Sequence, residues 1–128
     1  MKATILAIAL VPVLAATAAV AGEYDAIKIR AGAEFFGKEC QRCHAVDADR
    51  ASYGPLLEGV IGRPAGSFQG YPYSEALAQA GFVWTKGAIR AWMEDNDALV
   101  PGTRMRHVGV TDPTVQDFIV SYLASLTD

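Results

Sequence analysis

Cysteine is nearly missing from this chain of 128 residues: there are two, at positions 40 and 43. A fold stapled by several disulfides is therefore excluded. Excess charge is also scarce. The formal net charge is −3, with no long run of either sign. That argues against nucleic acid as a partner, because such binding needs a strong positive field over the phosphates. No segment alternates apolar and polar residues as a half-buried strand would, and there is no internal repeat or low-complexity tract. The class is all-α. Long apolar runs are lacking too, except for one at the start.

That run extends from Ile5 to Val20, follows Lys2, and ends at the small-x-small site Ala19-Val20-Ala21. It reads as an export signal covering residues 1–21, with a domain from 22 to 128. A retained membrane anchor is the rival reading. The run is short of the roughly 20 apolar residues a span needs, Pro12 interrupts it, and no flexible linker follows. Cleavage is the expectation, with no membrane insertion afterwards. Export places the mature protein in the periplasm of a bacterium, and removal of Lys2 makes it slightly more acidic.

Asp25 to Glu39 reads as a helix with Ile29, Ala33 and Phe36 on one face and Ile27, Gly32 and Phe35 beside them. From Ala45 to Pro72 the periodicity gives way to glycines at 54, 59, 62, 66 and 70 and prolines at 55, 64 and 72. A structureless stretch this long needs something to organise it. Ser74 caps a short helix reaching Ala80 and closed by Gly81, and Thr85 caps another to about Glu94. Loop is expected from Asn96 to Val110. Asp112-Pro113 then opens a last helix with an apolar stripe of Val115, Phe118, Ile119, Tyr122, Leu123 and Leu126.

Both cysteines fall in one motif, Cys40-Gln41-Arg42-Cys43-His44. Two thiols at this spacing can each add to a haem vinyl group, and His44 can then offer a ring nitrogen to iron. A Cys40–Cys43 disulfide would close a tiny loop and stabilise little. A thioredoxin-type redox pair would need a preceding strand and a βαβ pattern. Structural zinc would need a full tetrahedral set of protein ligands, and only His107 remains to supply another thiol or imidazole. Haem attachment, one haem c per chain, meets none of these objections.

Beyond the motif the chain resembles the class I (mitochondrial-type) cytochromes c and their bacterial periplasmic relatives. The markers are Gly32 with Phe36, the haem motif, Gly54-Pro55-x-Leu57, Gly62-Arg63, Tyr71-x-Tyr73-Ser74, Trp84, Pro101-Gly102-Thr103-x-Met105, and Tyr122 in the closing helix. The resemblance implies a fold whose N- and C-terminal helices cross, with loops wrapped round one haem. It implies Met105 as second axial ligand opposite His44, and the Pro55 carbonyl on the other nitrogen of His44. Arg63, Tyr73 and Trp84 would bond a haem propionate, with Tyr71 close by, and Thr103 would help hold the Met105 loop. Gly32 and Phe36 would pack against Ile119 and Tyr122. The residues themselves agree about Met105. Met1 leaves with the signal, and Met93 reads as core filler in a helix.

The function expected is a soluble, monomeric one-electron carrier between redox proteins, without enzymatic activity. One alternative is a dedicated haem subunit or electron acceptor of a periplasmic dehydrogenase. Another is a five-coordinate ligand-binding or peroxidase-like protein, which requires Met105 to be off the iron. Three departures from relatives stand out. The ring of lysines around the haem edge is reduced to Lys38, Arg42, Arg104 and Arg106, with Glu39, Asp97 and Asp112 among them. Trp92 stands where relatives often carry tyrosine, and an indole cannot accept a hydrogen bond. His107 replaces a typical phenylalanine, read first as a tolerated surface change and second as a group tuning docking or potential.

Overall fold

The computed structural model describes residues 14–45 and 53–126, with side chains from residue 22 onward. The remainder of the export segment, residues 1–13, lies outside the described residues. Five helices follow in order: α1 Leu14–Glu39, α2 Glu75–Ala78, α3 Lys86–Glu94, α4 Asn96–Leu99 and α5 Pro113–Ser125. The only bridge between extended segments among the described residues is the isolated Pro64–Val83 pair. The all-α expectation therefore holds. Among these residues no helix is long and apolar enough to cross a membrane.

Two boundaries differ from the sequence reading. Helix α1 begins at Leu14 rather than Asp25, because the Ala- and Leu-rich residues before Gly22 are strong helix formers and continue the same helix. The expected loop from Asn96 starts instead with α4, whose N-cap Asp95 accepts the Ala98 N–H at 2.9 Å. The other caps lie where the sequence puts them. The Ser74 hydroxyl accepts from Leu77 N–H, that of Thr85 from Ala88 N–H, and the Asp112 carboxylate from Thr114 and Val115 N–H. Helix α2 is shorter than expected, ending at Ala78.

Helices α1 and α5 pack on each other and form the frame. Gly32 is the reason they come so close: a Cβ there would collide with the Phe118 carbonyl and lie 2.8 Å from the Tyr122 Cβ. Beside that contact Phe36 meets the Tyr122 ring at 5.5 Å and Phe35 meets Phe118 at 6.3 Å. Ile119 and Val120 are fully buried beneath them. Asp117 of α5 ties the frame to α3: it bonds Lys28 of α1 at 2.5 Å and Arg90 of α3 at 2.6 Å. The core then continues through Ile89, Trp92 and Met93 of α3 to Trp84, Leu77 and Val60. Met93 is thus core filler.

The glycine-rich loop is organised by pairing across the chain. Gly62 N–H donates to Trp84 O, Trp84 N–H to Arg63 O and Ala65 N–H to Phe82 O, at 2.8–2.9 Å. These bonds hold residues 62–65 against 82–84, the segment that leads into α3.

Candidate functional site

The site begins where α1 ends. Cys40 N–H still bonds the Phe36 carbonyl, and then both Cys43 N–H and His44 N–H bond the Cys40 carbonyl at 3.0 Å. One tight turn therefore places both thiols and the imidazole on a single face. The cysteines are not joined in a disulfide. Burial, reinforced by Glu39 and Cys43, pushes the Cys40 thiol up to about 12. A thiol so hard to ionise is poorly suited to thiolate redox exchange or metal binding. Among the described residues no group of three or more His, Cys, Asp or Glu side chains gathers as a metal cluster.

His44 is buried and fixed. Its Nδ1 donates to the Pro55 carbonyl at 2.9 Å. Because a carbonyl can only accept, the proton sits on Nδ1 and Nε2 carries the lone pair. Burial lowers the His44 pKa, opposed by the Pro55 bond and assisted by the charge of His107. The ring is therefore neutral near neutral pH, with its free lone pair on Nε2. Gly54 makes this packing feasible, since a Cβ there would run into the His44 ring. Gly54 N–H also bonds the Cys43 carbonyl at 2.6 Å, fastening the loop to the motif. An open cleft of about 190 Å³ adjoins these residues, lined by Gly54, Pro55, Leu56, Phe68 and Tyr71 among others.

Met105 sits on the loop after α4. Its Sδ accepts the Trp92 indole N–H at 3.0 Å. Trp92 cannot accept a bond, but it does donate one, straight to the candidate ligand atom. Trp92 in turn meets Trp84 edge-on at 5.1 Å, and Trp84 meets Phe82 at 4.8 Å. Thr103 is buried beside them, and its carbonyl accepts from Arg106 at 2.8 Å. Asn96 Nδ2 bonds the Met105 carbonyl at 2.8 Å, and Gln116 Nε2 bonds the Val110 carbonyl at 2.7 Å. The sequence reading singled out neither carboxamide. No local motif marks them, since each acts on a backbone carbonyl several residues away.

The residues assigned to a propionate lie on the opposite loop. Arg63 donates to the Leu56 carbonyl at 2.6 Å and the Glu58 carbonyl at 3.3 Å, and covers the Phe68 ring at 5.0 Å. Arg63 and Tyr73 act on each other electrostatically, and burial raises the Tyr73 pKa. Tyr71 packs edge-on against Tyr73 at 4.8 Å. Arg63 and both tyrosines thus share one wall, whereas Trp84 is drawn into the aromatic column that reaches Met105. His107 is not a free surface residue. It is half-buried, and its Nε2 donates to the Met93 carbonyl at 3.2 Å, which gives this substitution a structural use.

The donor set fits a covalent haem. Two thiols and an imidazole share one turn, the imidazole nitrogen facing away from Pro55 carries the free lone pair, and a thioether is held by a directed N–H. The comparisons agree. Residues 29–127 match the family model "Cytochrome c". The chain is 39% identical over 95 residues to cytochrome c2 of Rhodopila globiformis, covering 74% of this chain and 90% of that protein. It is 35% identical over 112 residues to cytochrome c2 of Blastochloris viridis, covering 87% and 85%. Among solved structures, cytochrome cH from Methylobacterium extorquens superposes with a TM-score of 0.70 at 36% identity, over 76% of this chain and 97% of that one. The chain belongs to the class I cytochrome c family, electron carriers rather than enzymes, built around one covalent haem c.

Proposed function

We propose that this protein is a soluble one-electron carrier of the bacterial periplasm whose haem iron is held by His44 and Met105. The observation that carries the ligand assignment is the Trp92 N–H to Met105 Sδ bond at 3.0 Å, on a loop that side chains of α3, α4 and α5 hold in place. The haem supplies the redox couple. A thioether ligand favours reduced iron relative to a second imidazole. His44 is locked in one tautomer by Pro55, so its ligand nitrogen needs no rearrangement between oxidation states. Arg63, Tyr71 and Tyr73 form the polar wall proposed to meet a propionate, where a guanidinium with donors to spare offsets a half-buried anion. Trp84 and Thr103 buttress the Met105 side.

The charged surface supports a partner different from that of a strongly cationic carrier. Of the four cations near the motif and the Met105 loop, Arg106 pairs with Asp97 at 3.8 Å, while Arg104 keeps its charge and is held at the Pro72 carbonyl at 2.8 Å. The residual positive patch is small, so electrostatic steering is modest. A carrier dedicated to one periplasmic dehydrogenase is consistent with the same surface. Cleavage after Ala21 is part of the proposal, and the mass of the exported haem protein reports it. Carbon monoxide tests the ligation: the reduced protein is expected to leave it unbound, because both axial positions are filled. Ready binding would show an open sixth position and support a five-coordinate protein instead.

A further inference from the structure

The loop that carries Met105 packs Met105 and Val110 against the core, but much of the rest of it faces solvent. Arg104, Arg106 and Gly109 are exposed, and Val108 is 90% exposed. Hydrogen bonds to backbone carbonyls fix it as well. At its far end the Met93 carbonyl takes Val110 N–H at 2.8 Å and His107 Nε2 at 3.2 Å, and Gln116 holds the Val110 carbonyl. At Met105 itself the carbonyl takes two donors, Asn96 Nδ2 at 2.8 Å and Arg106 Nη1 at 3.3 Å.

These two donors are unequal. The Arg106 side chain is 72% exposed, so water competes for its bond, whereas Asn96 is only 6% exposed. Asn96 is also rigidly presented. The Asp95 cap creates α4, Asn96 is its first residue, and the Asn96 carbonyl accepts Val100 N–H at 3.0 Å. A short, neutral, buried amide on a capped turn is a donor of fixed position. It connects the start of α4 to the backbone of one residue in the loop, and that residue is Met105.

We propose that Asn96 is a positioning residue for the iron's sixth ligand, acting through the Met105 carbonyl to set how readily Met105 gives way to another ligand. This rests on Met105 being that ligand. The Asn96 bond fixes the Met105 backbone with the loop closed, and any opening that carries this backbone away breaks it, so it weights the equilibrium toward the closed state. Its role is separate from that of Trp92, which bonds the sulfur itself and so acts on its electrons.

Imidazole, titrated into the oxidised holoprotein, measures that equilibrium, because it binds iron only as Met105 leaves. Asn96→Leu removes the donor at nearly constant volume and is expected to tighten apparent imidazole binding about tenfold, the equivalent of about 1.4 kcal/mol. Asn96→Ala reports the same effect if leucine prevents folding. Arg106→Ala is expected to change it less than about twofold, as befits an exposed donor. Asp117→Ala, which breaks the contacts to Lys28 and Arg90 and none of the bonds to the loop named above, is expected to lower thermal stability and leave imidazole affinity unaltered. The proposal is overturned if both Asn96 variants bind imidazole like the wild type, or if Asp117→Ala tightens binding as much as they do. A wild type without the weak near-infrared thioether-to-iron band would instead overturn the Met105 assignment, so the two failures are distinguishable.

Discussion

The two halves of this molecule are held together by different physics. The frame of α1 and α5 is apolar contact at close range: Gly32 on the Phe118 backbone, Phe36 on Tyr122, Ile119 and Val120 sealed beneath. The haem side is held by side chains that capture carbonyls. His44 holds Pro55, Arg63 holds Leu56 and Glu58, Asn96 holds Met105, and Gln116 holds Val110. The frame resists change in volume, because a packed interior has no slack. The haem side resists loss of single donors, and each such loss acts on one ligand. Stability and redox tuning are therefore expected to separate along this division.

The sharpest way to break the comparison is at Gly32. Gly32→Leu places a side chain into the Phe118 carbonyl, and overpacking of this kind costs about 3 kcal/mol or more. The expected outcome is a large drop in thermal midpoint, or failure to accumulate holoprotein, read by calorimetry and haem absorbance. A midpoint within a few degrees of wild type would mean that α1 and α5 do not depend on this contact.

Next in size is Trp92→Phe. The indole N–H withdraws electron density from the thioether and so favours reduced iron. Its loss is expected to lower the midpoint potential by about 30–60 mV, the one-electron equivalent of a three- to tenfold bias, and the space left by the smaller ring in the core is expected to lower the thermal midpoint as well. An unchanged potential would remove Trp92 from the tuning account.

The smallest effect is predicted at Asp117. Its bond to Lys28, helped by that to Arg90, holds the carboxyl below its ordinary value, and the same bond raises Lys28. A depressed carboxyl stabilises the fold above its unfolded pKa, and that contribution fades as pH falls through the lower folded pKa. Lys28 works at the other end: its contribution is present below its ordinary value and fades as pH rises through the higher folded one. Both partners are partly exposed, so the total is expected to be about 0.5–1 kcal/mol. Asp117→Asn should therefore lower the thermal midpoint slightly at pH 7, converge with wild type as pH falls through the lowered folded pKa, and leave the potential alone. Parallel curves down to acid pH would contradict the ion-pair reading.

The same division explains what the sequence disclosed. The stripe on α5, the Thr85 and Asp112 caps and the Gly32-to-Phe36 face are local patterns, legible because helical period and capping chemistry act over a few residues. The haem motif was legible for the same reason, its donors being adjacent. Helix α4 was missed because four residues offer no periodicity, and only the Asp95 cap marks it. Trp92 and Asn96 as donors to Met105 were invisible because those bonds span 13 and 9 residues and depend on how α3 meets the loop. His107 read as a surface change because nothing local shows that Met93 turns its carbonyl toward it.

The most direct test of the central assignment is the near-infrared spectrum of the oxidised holoprotein, recorded for wild type and for Met105→Ala. With iron held by His44 and Met105, the weak thioether-to-iron band is present in the wild type and absent from the variant. A wild type without the band, or a variant that keeps it, would contradict Met105 as the ligand.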